Sequence, residues 1–412
     1  VNAARLRIHG VVDNDIHPPL FGSTQRSFGL FRGLARAHEV DVLCMVPWRN
    51  AAAREEAAAG VRLHRRRAWY TTAAWRLETL GLAPLFLSAH GHASRAARLL
   101  GVLPGTPDVL LAGAFFGGLL ERSAARLKVY ASHNVEYDHF LMTAPRLLGG
   151  ARWAAGIREL ERGVVEAVDL VVACSDEDAT RMRALYGVPA DGVVVAPNGF
   201  DETAIRPPRP GEREAARAVL GLEPKHHVGL FLGSDAPPNR EALRILMDEV
   251  MPSLAGEDMR LLVVGDIAQR ATGRGEPWLI TRRAMANVLP FLHAADVGLN
   301  PVVAGGGSNV KVPTYLAAGL AVLTTSFGLR GYASLAPSVI QADTADFADT
   351  WRSRPAGWHA RREAPPAALA AFAWGSIGES LGGTLVERLR TRSHEWAGNA
   401  HGPDAARRKA GA

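Results

Sequence analysis

Short runs of branched apolar residues recur along this chain, and stretches with helical apolar spacing separate them. In the first half the runs are Leu6–Val12, Val40–Val46, Val61–Arg65, Asp108–Ala112, Leu127–Ala131, Leu170–Cys174 and Val193–Pro197. In the second half they are Val228–Leu232, Leu261–Val264, Val297–Leu299 and Ala321–Thr325. Between the first two, after a Gly- and Pro-containing loop at His17–Thr24, Phe28, Phe31 and Leu34 share one helical face. Helices are also expected over 73–100, 150–168 and Ile377–Leu389. Strands alternating with helices in this way predict parallel sheets in an α/β fold. With 412 residues the chain exceeds one ordinary core and suits two domains. The Pro-rich segment Arg206–Gly211 reads as a linker, which puts the boundary near residue 200. The expected division is 1–200, 201–375, a C-terminal helix at 376–391 crossing back to the first domain, and a disordered tail at 392–412.

Charge excludes little. The net charge of +6 rests on arginine, with lysine only at 128, 225, 311 and 409, and neither half forms a basic arm, so no nucleic-acid partner is expected. Cys44 and Cys174 sit in apolar runs, VDVLCMV and VVACS, and read as packing residues in a reducing compartment. The start of the chain, VNAARLRIHG, has no apolar signal core. No stretch reaches the roughly 18 apolar residues of a membrane span, and the longest, Leu77–Leu87, is broken by Glu78 and Pro84. A cytoplasmic protein is the expectation. The run Arg65, Arg66, Arg67, Trp69, Tyr70 leaves a peripheral contact with the inner membrane surface open. Its plainer reading is a solvated arginine cluster.

The most informative segment is Ala304–Tyr332, AGGGSNVKVPTYLAAGLAVLTTSFGLRGY. A strand feeds three glycines, then Ser308 and Asn309 as N-cap candidates, then a helix to Ala318 that Gly319 ends. Pro313 falls in the first turn, where its missing N–H costs little. Free backbone N–H groups at such a turn favour a phosphate, and Lys311 adds a full charge. Taken alone, the pattern also fits an ordinary βα turn with a solvated lysine. Nucleophile-elbow, zincin, C-x-x-C and Walker patterns are absent from the sequence. Glu136, Asp138 and His139 cluster without a second ligand motif, so no metal is expected.

Gly305–Lys311 with Tyr315–Val322 and Phe327–Gly331 resembles the donor-site signature of retaining family-4 glycosyltransferases, and other segments follow in that family's order. They are SHNVEY at Ser132–Tyr137, DLVVACSDED at Asp169–Asp178, VVAPNGFD at Val194–Asp201 and LFLGSDAPPN at Leu230–Asn239. Pro18–Gly22 with Arg26 is similar to the family's glycine loop. The resemblance implies a GT-B fold, in which two Rossmann-like domains face each other across a cleft. It implies sugar transfer from a nucleoside-diphosphate sugar, with retention and without a bound metal or cofactor. Acceptors in keeping with it are a secondary metabolite or a cell-surface glycan. It casts His133 and Lys311 as catalytic, and Gly22, Ser234, Gly306, Gly307, Ser308, Asn309 and Thr314 as donor-binding. Lys311, backbone amides, Arg26 and Arg330 remain to carry phosphate charge. Gly306 and Thr314 stand where the family has two glutamates, and Ser234, Asp235 and two prolines follow Gly233 where relatives place an Arg–Lys pair. These departures support an alternative, a non-catalytic relative acting as a binding or partner subunit.

Overall fold

The computed structural model describes residues 5–20, 22–46, 54–90, 97–113, 116–143, 150–254, 256, 258–283, 287–353 and 365–400. Two sheets carry the chain. The first contains β1 (Arg7–Val12), β2 (Glu39–Val46), β3 (Arg54–Ala58), β4 (Val61–Arg67), β5 (Val109–Ala112), β6 (Leu127–Ala131), β7 (Leu170–Ala173) and β8 (Val193–Val195). Its spatial order is β3-β4-β2-β1-β5-β6-β7-β8, parallel except for β3 against β4. The second contains β9 (His227–Leu232), β10 (Met259–Val264), β11 (Leu279–Arg282), β12 (Val297–Asn300), β13 (Ala321–Thr324) and β14 (Ile340–Gln341). Its order is β11-β10-β9-β12-β13-β14, parallel throughout. Side chains of β1, β2, β5 and β6 are buried on both faces, which explains why these strands read as continuous apolar runs rather than alternating ones.

The helices used below are α1 (Gly22–Leu34), α2 (Trp69–Thr79), α3 (Leu85–His90), α4 (Gly117–Glu121), α5 (Glu136–Thr143), α6 (Gly150–Glu166), α7 (Asp176–Tyr186), α8 (Glu212–Val219), α9 (Pro237–Arg244), α10 (Leu289–Ala294), α11 (Lys311–Ala317), α12 (Phe347–Ser353) and α13 (Trp374–Ala400). Each sheet reverses its strand order once, at β1/β5 and at β9/β12. In open parallel sheets that reversal opens a crevice beyond the carboxyl ends of the strands. The two crevices of this GT-B fold face each other.

The C-terminal helix α13 lies on the first sheet's side. Trp374, Ile377, Leu381 and Leu385 join Ile8, Phe31 and Leu34 in one core. The approach to α1 is so close that a Cβ on Gly33 would sit 2.2 Å from the Trp374 carbonyl oxygen, and one on Gly378 would sit 2.1 Å from the Gly33 carbonyl carbon. The chain therefore passes between the sheets twice, and the passages are bonded: Phe200 N–H donates to Phe372 O at 3.0 Å and Trp374 N–H to Phe200 O at 3.3 Å.

Several sequence expectations need correction. The tail expected to be disordered from residue 392 remains helical to Ala400, because the apolar face of α13 continues through Leu385 and Leu389 and carries the helix beyond its packed part. Residues 401–412 of that expectation lie outside the described residues, as do 91–96 of the helical stretch expected at 73–100. Helix α1 starts at Gly22, inside the expected loop. The run Arg65–Arg67 is solvated only in part: Arg67 is exposed and Arg66 half-buried. Arg65 is fully buried, with Nε 2.7 Å from Asp15 Oδ2 and Nη1 2.9 Å from Glu56 Oε2, while Arg66 meets Glu55. Glu55 and Glu56 come from the antiparallel strand β3, whose charged sequence hid it, and Asp15 from the loop after β1. Among the described residues no helix is long and apolar enough to cross a membrane.

Candidate active site

The cleft between the two crevices has a volume of about 1010 Å³. Every site residue singled out from sequence lines it: Gly22, His133, Ser234, Gly306, Gly307, Ser308, Asn309, Lys311 and Thr314. The strand order explains the convergence, since Gly233 and Gly265 follow β9 and β10, the glycine loop follows β12, and His133 follows β6. Gly265 adopts φ +110°, and a Cβ there would fall 2.2 Å from the Gly233 carbonyl oxygen, so this floor admits only glycine.

Lys311 is the main cation of the cleft. It is buried, and its Nζ donates to Asn239 Oδ1 at 2.7 Å and to Asn309 Oδ1 at 3.3 Å. The Phe231 ring lies 5.3 Å from Nζ. No carboxylate pairs with it among the described residues. Burial without a counter-charge pulls its pKa down to about 7. Asn239 is in turn fixed, since Nδ2 donates to Ser234 O at 3.0 Å. Asp235, which stands where the resemblance implies an Arg–Lys pair, is held by Arg240 and Arg270, the latter hydrogen bond lowering its pKa to about 2. Its charge is thus offset locally and does not face an incoming anion alone.

His133 accepts or donates at Nε2 with Ser27 Oγ at 3.3 Å, and its backbone oxygen accepts from Cys174 Sγ at 2.9 Å. Burial first, and the nearby Arg26 charge second, lower its pKa to about 3, so the imidazole is neutral at physiological pH. Arg26 is almost fully buried. Its Nε donates to Ser132 O at 3.2 Å and its Nη1 to Ala196 O at 2.7 Å and Asn198 Oδ1 at 3.1 Å. Its remaining nitrogen, Nη2, has no partner, and the residue lines the cleft. Asn198 Nδ2 donates to Ser308 O at 2.9 Å, which joins the interdomain turn to the glycine loop.

The glycine loop is shaped by this contact. A Cβ on Gly306 would meet Asn134 Oδ1 at 2.8 Å, and one on Gly307, at φ +65°, would meet the His133 oxygen at 2.8 Å. Gly306 is therefore a packing position as the cleft stands. Two expectations change as a result. Ser308 and Asn309 do not cap the helix: α11 begins at Lys311 after Val310 with no side-chain cap, because the loop is drawn to the first domain. At seven residues α11 contributes few aligned peptides, so the charge of the site belongs to Lys311 more than to a helix dipole. Arg330 also lines the cleft; its Nη2 bonds Asp178 Oδ1 at 2.5 Å across the seam, which offsets part of its charge, while its Nε has no partner. Thr314 Oγ1 is bonded to Val310 O at 2.7 Å, within the helix.

Asn239, Asn134 and Asn198 were not singled out as site residues from sequence. Each stands in a motif that was read, PPN, SHNVEY and VVAPNGFD; for Asn134 and Asn198 the signal was a polar amide just after a strand, and for Asn239 one in the first turn of the helix after β9.

Both halves of this arrangement match known sequences. The model for Glycosyltransferase Family 4 matches residues 22–204, and that for Glycosyl transferases group 1 matches residues 226–352. The chain belongs to the family-4, group-1 glycosyltransferases. Among its relatives, a D-inositol 3-phosphate glycosyltransferase of Kineococcus radiotolerans is 32% identical over 229 residues, which is 54% of this chain and 42% of that protein. One of the same name from Nocardia farcinica is 35% identical over 106 residues, 26% of this chain and 23% of that protein. The chain thus spans less than half the length of these curated relatives. Among solved structures, sucrose-phosphate synthase from Thermosynechococcus elongatus aligns over 94% of this chain and 100% of its own with a TM-score of 0.72 at 17% identity. Anabaena HepE in complex with UDP-glucose aligns over 93% and 100% with a TM-score of 0.63 at 15% identity. These likenesses establish the two-domain glycosyltransferase fold.

Proposed function

We propose that the protein transfers a sugar from a nucleoside-diphosphate sugar to an acceptor held against the first domain, with retention at the anomeric carbon and without a metal. The observation that carries this reading is Lys311, a buried ammonium with only amide oxygens as hydrogen-bond partners among the described residues, in the wall of the interdomain cleft. Such a group gains most from an anion. A leaving diphosphate acquires charge as the glycosidic bond breaks, and an ammonium held beside the bound donor stabilises that charge. Arg26 Nη2 and the backbone amides of Gly306–Asn309 supply further donors. Arg26 and a Lys311 that charges as the diphosphate binds supply there what a divalent ion supplies elsewhere, which supports metal independence. The neutral His133 suits a hydrogen-bonding role toward the donor sugar, and its low pKa argues against its acting as a proton donor.

Retention follows from the family likeness and is consistent with same-face attack by the acceptor, guided by the departing phosphate oxygen. The phosphorylated inositol in the relatives' name is not carried over, because the chamber next to His133 has no described arginine or lysine in its wall. The test is a thermal-shift panel of UDP, GDP, dTDP and ADP with their sugars, followed by turnover of the donor that binds. Stabilisation by diphosphates, lost in Lys311→Met, is expected, since a ligand that binds only the folded state raises its melting temperature. Binding with no transfer to any acceptor would favour the non-catalytic alternative, and no shift with any nucleotide would defeat the donor-site reading.

A further inference from the structure

A second cavity, of about 300 Å³, opens off the cleft at His133 and Asn134 and runs into the first domain. Its wall is mostly apolar, with Phe31, Phe86, Phe116 and Phe140 contributing rings. Three carboxylates, Asp13, Glu78 and Glu136, also line it, and no arginine or lysine does so among the described residues. The two histidines in the wall, His133 and His139, are both driven toward the neutral form by burial.

Glu136 is the telling group. It is only 8% exposed, and no described residue donates a hydrogen bond to its carboxylate. Its position is nevertheless fixed from behind. Glu161 Oε1 accepts from the Glu136 N–H at 2.9 Å and from Tyr130 Oη at 3.0 Å, while Oε2 accepts from Tyr186 Oη at 2.6 Å. The start of α5 is thus tied to α6, and the Glu136 side chain is left facing the cavity. Burial, with repulsion from Glu161, Asp13 and Glu78, raises its pKa well above the carboxylate range. Asp13 is pushed up to about 6 by burial. A buried carboxylate without a donor is costly, and a ligand that brings a donor or a positive charge removes that cost. A ligand that brings a phosphate or carboxylate puts a negative charge among three acidic groups with no arginine or lysine in the wall among the described residues, and pushes their pKa values up further.

We propose that this chamber is the acceptor subsite and that it takes an amine-bearing ring with an apolar face, Glu136 receiving the amine, while phosphorylated and carboxylated acceptors are excluded. The inference rests on the transfer reading above for the word acceptor; the charge preference of the chamber stands without it. The test uses one ring in three charge states: cyclohexylmethylamine, cyclohexylmethanol and cyclohexanecarboxylate, measured by ligand-detected NMR titration near neutral pH without nucleotide. The amine is expected to bind roughly tenfold more tightly than the alcohol, the increment of one charge-assisted hydrogen bond. The carboxylate is expected to bind more weakly than the alcohol. Glu136→Gln, of the same size, should abolish the preference for the amine while leaving the melting temperature near that of the wild type. If Glu136→Gln does not fold, Glu78→Gln and the wild-type series carry the test, with a reduced preference expected in the former. Equal affinities, a preference for the carboxylate, no binding of the amine, or an unchanged preference in Glu136→Gln would overturn the proposal. Because nucleotide is left out, a donor cleft that binds no diphosphate leaves this result readable.

Discussion

The pKa of Lys311 makes diphosphate binding a proton-linked event. In the free protein burial draws the ammonium down to about 7, so at pH 8 most molecules carry a neutral lysine in the cleft. A diphosphate within reach of Nζ favours the charged form strongly and returns the pKa toward its ordinary value. Binding at pH 8 should then take up about 0.9 proton per site, against about 0.5 at pH 7. The apparent affinity should weaken by roughly fivefold between pH 7 and 8 and by roughly ninefold between 8 and 9. The terminal phosphate, with a second pKa of about 6, is roughly nine-tenths ionised at pH 7 and almost wholly so at pH 8, so it changes the count little. Calorimetry in two buffers of different ionisation enthalpy reads the uptake directly. The unliganded protein should report the same group with the opposite consequence. Its folded pKa lies below the unfolded value near 10.4, so the unfolded state binds more protons between the two, and stability rises with pH across that window by up to about 1.4 kcal/mol per unit. Proton uptake close to zero at pH 8, or the same pH dependence in Lys311→Met, would refute the assignment of Lys311 as the diphosphate's cation.

Three further outcomes follow from the site and the fold. Gly306→Glu, which restores a residue type of the family, should weaken nucleotide affinity by about tenfold or more rather than improve it, because the first side-chain carbon already meets Asn134; isothermal titration decides. His133→Gln should lower kcat while leaving the shape of the pH–rate profile between 5 and 8 unchanged, since a group with a pKa of about 3 contributes no limb there. Gly33→Val should cost several kcal/mol and loosen α13 from α1, because the added carbon would lie 2.2 Å from the Trp374 carbonyl oxygen; chemical denaturation and protease sensitivity of the C-terminal helix report it.

Much of the fold was legible because parallel strands covered on both sides must be apolar throughout. Runs such as VLLA at β5 and LVVA at β7 cannot be mistaken for surface. Strand β3, REEAA, was not legible: it is an edge strand whose carboxylates answer arginines on β4, and nothing local tells a charged edge strand from a loop. For the same reason Arg65 looked solvated, although tertiary pairing buries it completely. The glycine loop was visible as a turn, but its partner was not. That Gly306 and Gly307 pack on His133 and Asn134 depends on the meeting of two domains, which no local pattern encodes. Asn239 escaped for a similar reason, since only the folded cleft brings it within 2.7 Å of Lys311, seventy-two positions later.

The family's two glutamates and its Arg–Lys pair are absent together, and the structure gives this a physical sense. Carboxylates beside a diphosphate are tolerable only if cations outweigh them, so losing both signs leaves the charge of the cleft nearly as it was. What remains is Lys311 and Arg26 on one side and Asp235, offset by two arginines, on the other. The loss falls instead on recognition of hydroxyl groups. Thr314 Oγ1 is spent on its own helix, and Gly306 offers only backbone. On the proposed function, ribose and sugar hydroxyls would be left to backbone groups of the glycine loop and to Ser234, which line the cleft. A cleft that reads phosphate firmly and hydroxyls through backbone discriminates poorly between nucleotides that differ in their base or sugar. The thermal-shift panel should accordingly show several diphosphates within about tenfold of one another rather than one far above the rest. A single nucleotide bound a hundredfold more tightly than the others would mean that some other residue has taken over the work of the missing carboxylates.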